Sequence, residues 1–120
     1  MSLRQPPSID ALGGGGFRIG GVRWEGSVLI VDDAVSALTA RDLAGLSLTE
    51  LGPVLDADRA AVELLVIGAG PAPLPPARAI GEAFAAERIG LDVLSTAEAC
   101  RLYNLLAREG RRVAAALIAV

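Results

Sequence analysis

Three apolar stretches at residues 62–67, 91–94 and 113–120 alternate with two segments whose apolar residues recur at helical spacing. That alternation confines the second half of the chain to a β-α-β-α-β succession. The first and last stretches are almost unbroken, as in strands covered on both faces. Between them, Ile80 and Phe84 predict the buried side of a helix over 77–87, with Pro76 suited to its first position because no N–H is needed there. Gly90 is placed to end the turn before the middle strand. Ser95-Thr-Ala-Glu98 is a capping box, and Ala99, Leu102, Tyr103 and Leu106 follow the i, i+3, i+4, i+7 rule. Gly110 is expected just past that helix, with Arg108 in its last turn complementing the dipole. Right-handed crossovers then lay the three strands parallel.

The first half is read less sharply. Residues 1–12 read as a poorly anchored N-terminal tail, because Pro6-Pro7 blocks regular helix. Gly13-Gly-Gly-Gly16 follows, then short strands over 17–20, 21–24 and 27–31. Gly20-Gly21 and Glu25-Gly26 between them predict a tight three-stranded antiparallel meander. Another strand is expected around 35–38, and Ser47-Leu-Thr-Glu50 predicts a capped helix that Pro53 keeps short or bent. The fold class is thus α/β: a single layered domain over 13–120, with N-terminal antiparallel strands followed by β-α-β-α-β.

Composition narrows function more than it names it. The 120 residues are 52% hydrophobic but only 3% aromatic, so Ala, Leu and Val are expected to fill the core instead of rings. There is no histidine and a single cysteine, which removes His-based triads, Cys/His zinc sites and any internal disulfide. All 11 basic residues are Arg, so Schiff-base and P-loop lysine chemistry is absent. A net charge of −3 argues against a general nucleic-acid binder. The longest apolar run, 113–120, is far short of a membrane span, and the N-terminus lacks the apolar stretch of a secretory signal. A soluble intracellular protein is the expectation.

Several positions could carry chemistry. Gly68 and Gly70 follow a buried strand and precede a helix, where open α/β sheets bind phosphates. The dinucleotide fingerprint is incomplete, however, and prolines 71, 73, 75 and 76 donate no amides, which favours a structural turn. Ser95 and Thr96 would present free amides and a positive dipole end. Cys100 lies near that end, but no His or Lys is available as its base, and a lone Cys is more often a small buried hydrophobe. Asn104, the only Asn, goes against helix propensity and is either a binding or backbone-satisfying group or merely solvent-facing. Arg101, Arg108, Arg111 and Arg112 could form an anion or acidic-partner patch, against helix-end capping as the plainer reading. Asp32-Asp33 and Asp56/Asp58 read as turn residues, and Trp24 as core.

The strings Leu64-Leu-Val-Ile-Gly-Ala-Gly70, Leu74-Pro-Pro76, Gly90-Leu-Asp-Val-Leu-Ser-Thr96, Ala99-Cys-Arg-Leu-Tyr-Asn104 and Glu109-Gly-Arg-Arg-Val-Ala-Ala115 resemble one small family of unknown function. That family includes mitochondrial complex I assembly factor 3 and the adipogenesis-associated protein carrying the same domain. Gly14-Gly-Gly-Phe-Arg-Ile-Gly-Gly-Val22 is similar to it as well, so the resemblance runs over about 13–120. It implies a three-layer α/β fold with a mixed sheet, a cytoplasmic protein peripheral to the inner membrane only through a partner, and no reaction. Mitochondrial members assist respiratory-complex assembly through protein contacts, which implies a non-enzymatic interaction module with protein partners such as membrane-complex subunits or assembly factors. No cofactor, metal or nucleic acid is expected, and the oligomeric state is left open. The expected surface comprises Gly68, Gly70, Pro75, Pro76, Ser95, Thr96, Cys100, Arg101, Asn104, Arg111 and Arg112. The alternative is a small-molecule or anion binder, an enzyme included, at the 68–76 loop and the N-terminus of the 96–108 helix.

Overall fold

The structure, a computed structural model, describes residues 5–58 and 60–120. Strands β1 (Ile9–Gly13), β2 (Gly16–Ile19) and β3 (Val22–Glu25) form a three-stranded antiparallel sheet in that order. Strands β4 (Val28–Val31), β5 (Ala34–Ala37), β6 (Leu64–Gly68), β7 (Gly90–Leu94) and β8 (Val113–Leu117) form a second sheet ordered β5-β4-β8-β6-β7. In it β8, β6 and β7 are parallel, as the two crossovers require, and β4 runs antiparallel to β8. The helices are α1 (Gly52–Asp56), α2 (Arg78–Ala86) and α3 (Thr96–Arg108), with a single 3₁₀ turn at Leu43–Gly45.

Alternation along the central strands sorts the core into two layers. Leu29, Leu65, Ile67, Ala114 and Ala116 point to one face, where they meet Leu51 just before α1, Val54 of α1 and Ile80 and Phe84 of α2. Val28, Ile30, Val66, Ala115 and Leu117 point to the other, against Phe17 and Ile19 of β2 and Ala99, Cys100 and Tyr103 of α3. The result is three layers: α1 and α2, the five-stranded sheet, then α3 with the small sheet. The few rings matter more than their number predicted. Phe17, Phe84 and Tyr103 are all at most 1% exposed, so they fill space that the run Ala114–Ala116 leaves open.

Three sequence expectations need correction. The tail over 1–12 extends too far: residues 1–4 lie outside the described residues, but Ile9–Gly13 is a paired strand with Ile9 buried. The meander over 17–31 is broken, because β3 pairs only with β2 while β4 enters the large sheet. The reason lies in the side chains. β3 carries an exposed Val22 and charged Arg23 and Glu25, suiting an edge, whereas Val28, Leu29 and Ile30 are all buried and need cover on both faces. The Ser47 capping box does not start a helix either. Ser47 Oγ accepts from the Glu50 amide at 3.2 Å, but the Glu50 carboxylate turns away to accept from the Thr39 amide and hydroxyl.

The helix ends follow the expected local rules more closely. Ser95 Oγ accepts from the Glu98 amide at 3.3 Å, although the Glu98 carboxylate pairs with Arg101 instead of closing the box. At the other end of α3, Gly110 has φ +80°, its amide bonds to the Ala107 carbonyl and the Arg111 amide to the Leu106 carbonyl. That pair of bonds is a Schellman cap. α2 begins at Arg78, two residues beyond Pro76, and ends with Arg88 in the left-handed region, so Gly90 is free to open β7.

Candidate functional site

The glycines after β6 face a polar plug, not an open cradle. Thr96, wholly buried, accepts from the Gly70 amide at 2.9 Å through Oγ1 and donates the same hydroxyl to the Ile118 carbonyl at 2.7 Å. Its own amide bonds to the Gly70 carbonyl at 2.8 Å. A Cβ on Gly68 would lie 2.9 Å from Thr96 Cα, so only glycine lets α3 approach this closely. Gly70, at φ +104°, turns the chain back toward Thr96. The crevice at the carboxyl ends of the parallel strands, the usual ligand position of such sheets, is therefore filled by the protein itself. Gly68, Gly70 and Thr96 all lie in the interior and are withdrawn from the surface expected of them.

Cys100 is also interior, 3% exposed among Phe17, Val66 and Tyr103. Burial pushes its thiol up to about 12, which the nearby Arg101 charge offsets only in part. A thiolate nucleophile is disfavoured at neutral pH. The native protein is accordingly expected to resist a soluble alkylating reagent at pH 8 and to react fully once unfolded in urea. Prompt native alkylation, followed by mass spectrometry, would show that burial does not control this thiol.

Asn104 resolves as a backbone clamp. Its Oδ1 accepts from the Ile9 amide at 2.9 Å and its Nδ2 donates to the Ile9 carbonyl at 2.8 Å. The amide side chain thus acts as a strand partner and ties β1 to α3. A mid-helix Asn was the visible signal, but its partner lies 95 residues away and could not be read from spacing.

The arginines do not gather at one place. Arg101 pairs with Glu98 at 2.8 Å on the exposed side of α3, beside Leu105 and Arg108. Arg111 Nε pairs with Glu63 at 2.6 Å, and the Arg112 amide adds a longer bond to the same carboxylate. The hydrogen bond from Arg111 holds the Glu63 carboxyl below its usual range, and Glu63 raises the guanidinium in turn. Glu63, which composition did not single out, joins the start of β6 to the start of β8. Arg111 and Arg112 therefore sit at the amino edge of the parallel strands, whereas Gly70, Pro75, Pro76 and Ser95 sit at the carboxyl edge, one strand length away. The predicted surface divides in two.

Beside the Gly68–Gly70 turn, one outer part of the carboxyl edge is apolar. Leu74, Pro75, Pro76 and Ala77 form one rim of a hollow whose other rim is Leu43 and Ala44 of the 3₁₀ turn, and Leu74 is 54% exposed. Among the described residues no group of His, Cys, Asp or Glu is placed to hold a metal ion, and no helix is long and apolar enough to cross a membrane.

Residues 9–118 match the family described as protein of unknown function DUF498/DUF598. An uncharacterized protein of Rhodobacter capsulatus is 39% identical over 115 residues, which cover 92% of this chain and 82% of that protein. A crystal structure of an outer membrane protein from Bartonella henselae superposes with a TM-score of 0.90 at 30% identity, covering 96% of each chain. A Bordetella pertussis protein described as an Mth938-like domain shares the fold, with a TM-score of 0.78 at 21% identity over 98% of this chain and 91% of that one. The chain belongs to the DUF498/DUF598 family of proteins of unknown function, which also includes mitochondrial complex I assembly factor 3.

Proposed function

We propose that this chain is a non-enzymatic interaction module that assists assembly of a membrane protein complex, working through protein contacts at the carboxyl edge of its parallel strands. The observation that carries the reading is the apolar rim of Leu74, Pro75 and Pro76 facing Leu43 and Ala44, next to a strand-end crevice in which the Thr96 hydroxyl engages Gly70 and Ile118. Prolines restrict the loop before any partner arrives, so docking there costs little ordering entropy. Kinship with an assembly factor points the same way, and the outer-membrane description of the Bartonella relative fits a role near membrane complexes. The exposed side of α3, with Arg101, Leu105 and Arg108, extends the contact surface. The alternative of an anion site at the 68–76 loop is disfavoured because the Gly70 amide already serves Thr96.

Affinity capture of the tagged full chain from its host is expected to enrich subunits or assembly factors of a membrane complex. Leu74→Asp, at an exposed site, should remove that enrichment while leaving the thermal midpoint unchanged. A functional tagged protein that enriches no such component overturns the reading.

A further inference from the structure

A second hollow lies at the same edge, beyond the ends of β4, β5 and β8. Register places it: Val28 of β4 faces both Ala37 of β5 and Leu117 of β8, so Ser27, Leu38 and Ala119 converge just beyond the strand ends. The space is about 510 Å³, within the usual range of small-ligand sites, opens to solvent, and is also lined by Gly15, Gly26, Thr39 and Arg41.

Its unpartnered lining groups are donors, and beside them the Glu50 carboxylate, bonded through one oxygen to Thr39, keeps its second oxygen buried without a partner among the described residues. Ser27 is 3% exposed, and its hydroxyl accepts from the Ala119 amide at 3.0 Å. The hydroxyl proton of Ser27 has no acceptor among the described residues. The Arg41 guanidinium forms no ion pair among them, and the backbone amides of Ala40 and Arg41 have no carbonyl or side-chain partner. The lining thus offers donors in need of an acceptor, which is the chemistry of an anion site. Charge limits which anion. One guanidinium can fork onto one carboxylate, and the Glu50 carboxylate, which accepts from the Thr39 amide and hydroxyl, opposes added negative charge and so disfavours a dianion more than a monoanion. Leu38, Ala40 and Ala119 supply apolar wall for a short aliphatic body.

We propose that this hollow binds a small aliphatic monocarboxylate, its carboxylate on Arg41 and Ser27 and its carbon chain against Leu38, Ala40 and Ala119. The site stands whether or not the proline rim meets a protein partner. The carboxylate can come from a free acid or from the C-terminus of a peptide, and the two are separable by experiment.

Amide NMR titration of the full chain with butyrate is expected to give saturable shifts centred on Ser27, Thr39 and Arg41. Butyramide, equal in shape but neutral, should give none, and inorganic phosphate should bind more weakly than butyrate. Arg41→Gln should weaken butyrate binding about tenfold or more, as loss of a charge-assisted pair does. Because Arg41 holds nothing else in the fold, that variant should unfold at the same denaturant midpoint. Arg78→Gln, at an exposed helix position, should bind as the parent does. Acetyl-Ala-Ala with a free C-terminus, compared with its C-terminal amide, reports the source: tighter binding than butyrate assigns a peptide end, and equal or weaker binding a free acid. Equal shifts from butyrate and butyramide, tighter binding of phosphate, or an Arg41→Gln variant that binds as the parent does would each overturn the proposal.

Discussion

Thr96→Val is expected to lower stability by about 3 kcal/mol, although it keeps the size and branching of the side chain. The hydroxyl accepts from Gly70 and donates to Ile118, both at buried positions, and valine leaves each group without its partner. An unsatisfied buried donor or acceptor costs about 1–3 kcal/mol, so two together outweigh any gain from the added methyl. For a domain of this length the loss corresponds to a fall of roughly 10–15 °C in thermal midpoint. Thr96→Ser keeps both bonds and should lose only about 1 kcal/mol, the worth of one buried methyl. Urea unfolding distinguishes the two, with the midpoint shifting at constant slope. If valine were as stable as threonine, the plug would be packing alone and the closure of the Gly68–Gly70 turn would need another cause.

Gly16→Ala should cost about 3 kcal/mol, while Gly81→Ala should stabilise. A Cβ on Gly16 would sit 2.2 Å from the Trp24 carbonyl oxygen, a backbone atom that cannot swing aside without opening the β2–β3 ladder. Overpacking against side chains costs about 1–3 kcal/mol, and a rigid backbone neighbour places this site at the upper end. Gly81 lies within α2 with nothing near its Cβ position, so alanine there removes chain entropy from the unfolded state and adds helix propensity. The gain should be about 0.5–1 kcal/mol. The two glycines look alike in the sequence, so opposite signs in calorimetric midpoints would confirm that neighbours, not composition, set their roles. A Gly16→Ala protein as stable as the parent would mean the hairpin is looser than its register shows.

Much of the second half was legible because its signals are local. The two-sided apolar runs of β6 and β8, the helical spacing of Ala99, Leu102 and Tyr103, and Gly110 past the end of α3 are all set by residues within a few positions of one another. The site was less legible. Ser95, Pro75, Pro76, Arg101 and Arg112 are at or near the surface as expected, but Gly68, Gly70, Thr96 and Cys100 face inward. Their residue types suit either environment, and only the depth of α3 against the sheet separates the two. The hollow beside Arg41 left no trace in spacing, since Ser27, Arg41 and Ala119 come from three segments.

The order of strands and helices in the second half, the absence of histidine and lysine chemistry and the caps of α3 belong to the sequence alone, because each depends on composition or on neighbours a turn or a pleat away. Tertiary structure alone decided that β1 joins the small sheet, that β4 leaves β3 for β8, and that Asn104 clamps Ile9 while Arg111 holds Glu63. Those partners are separated by 95 and 48 residues. A polar side chain carries no mark of which distant backbone or carboxylate will satisfy it. That choice follows from which apolar faces must be covered first, and the hydrogen bonds then form with whatever groups the packing has brought within reach.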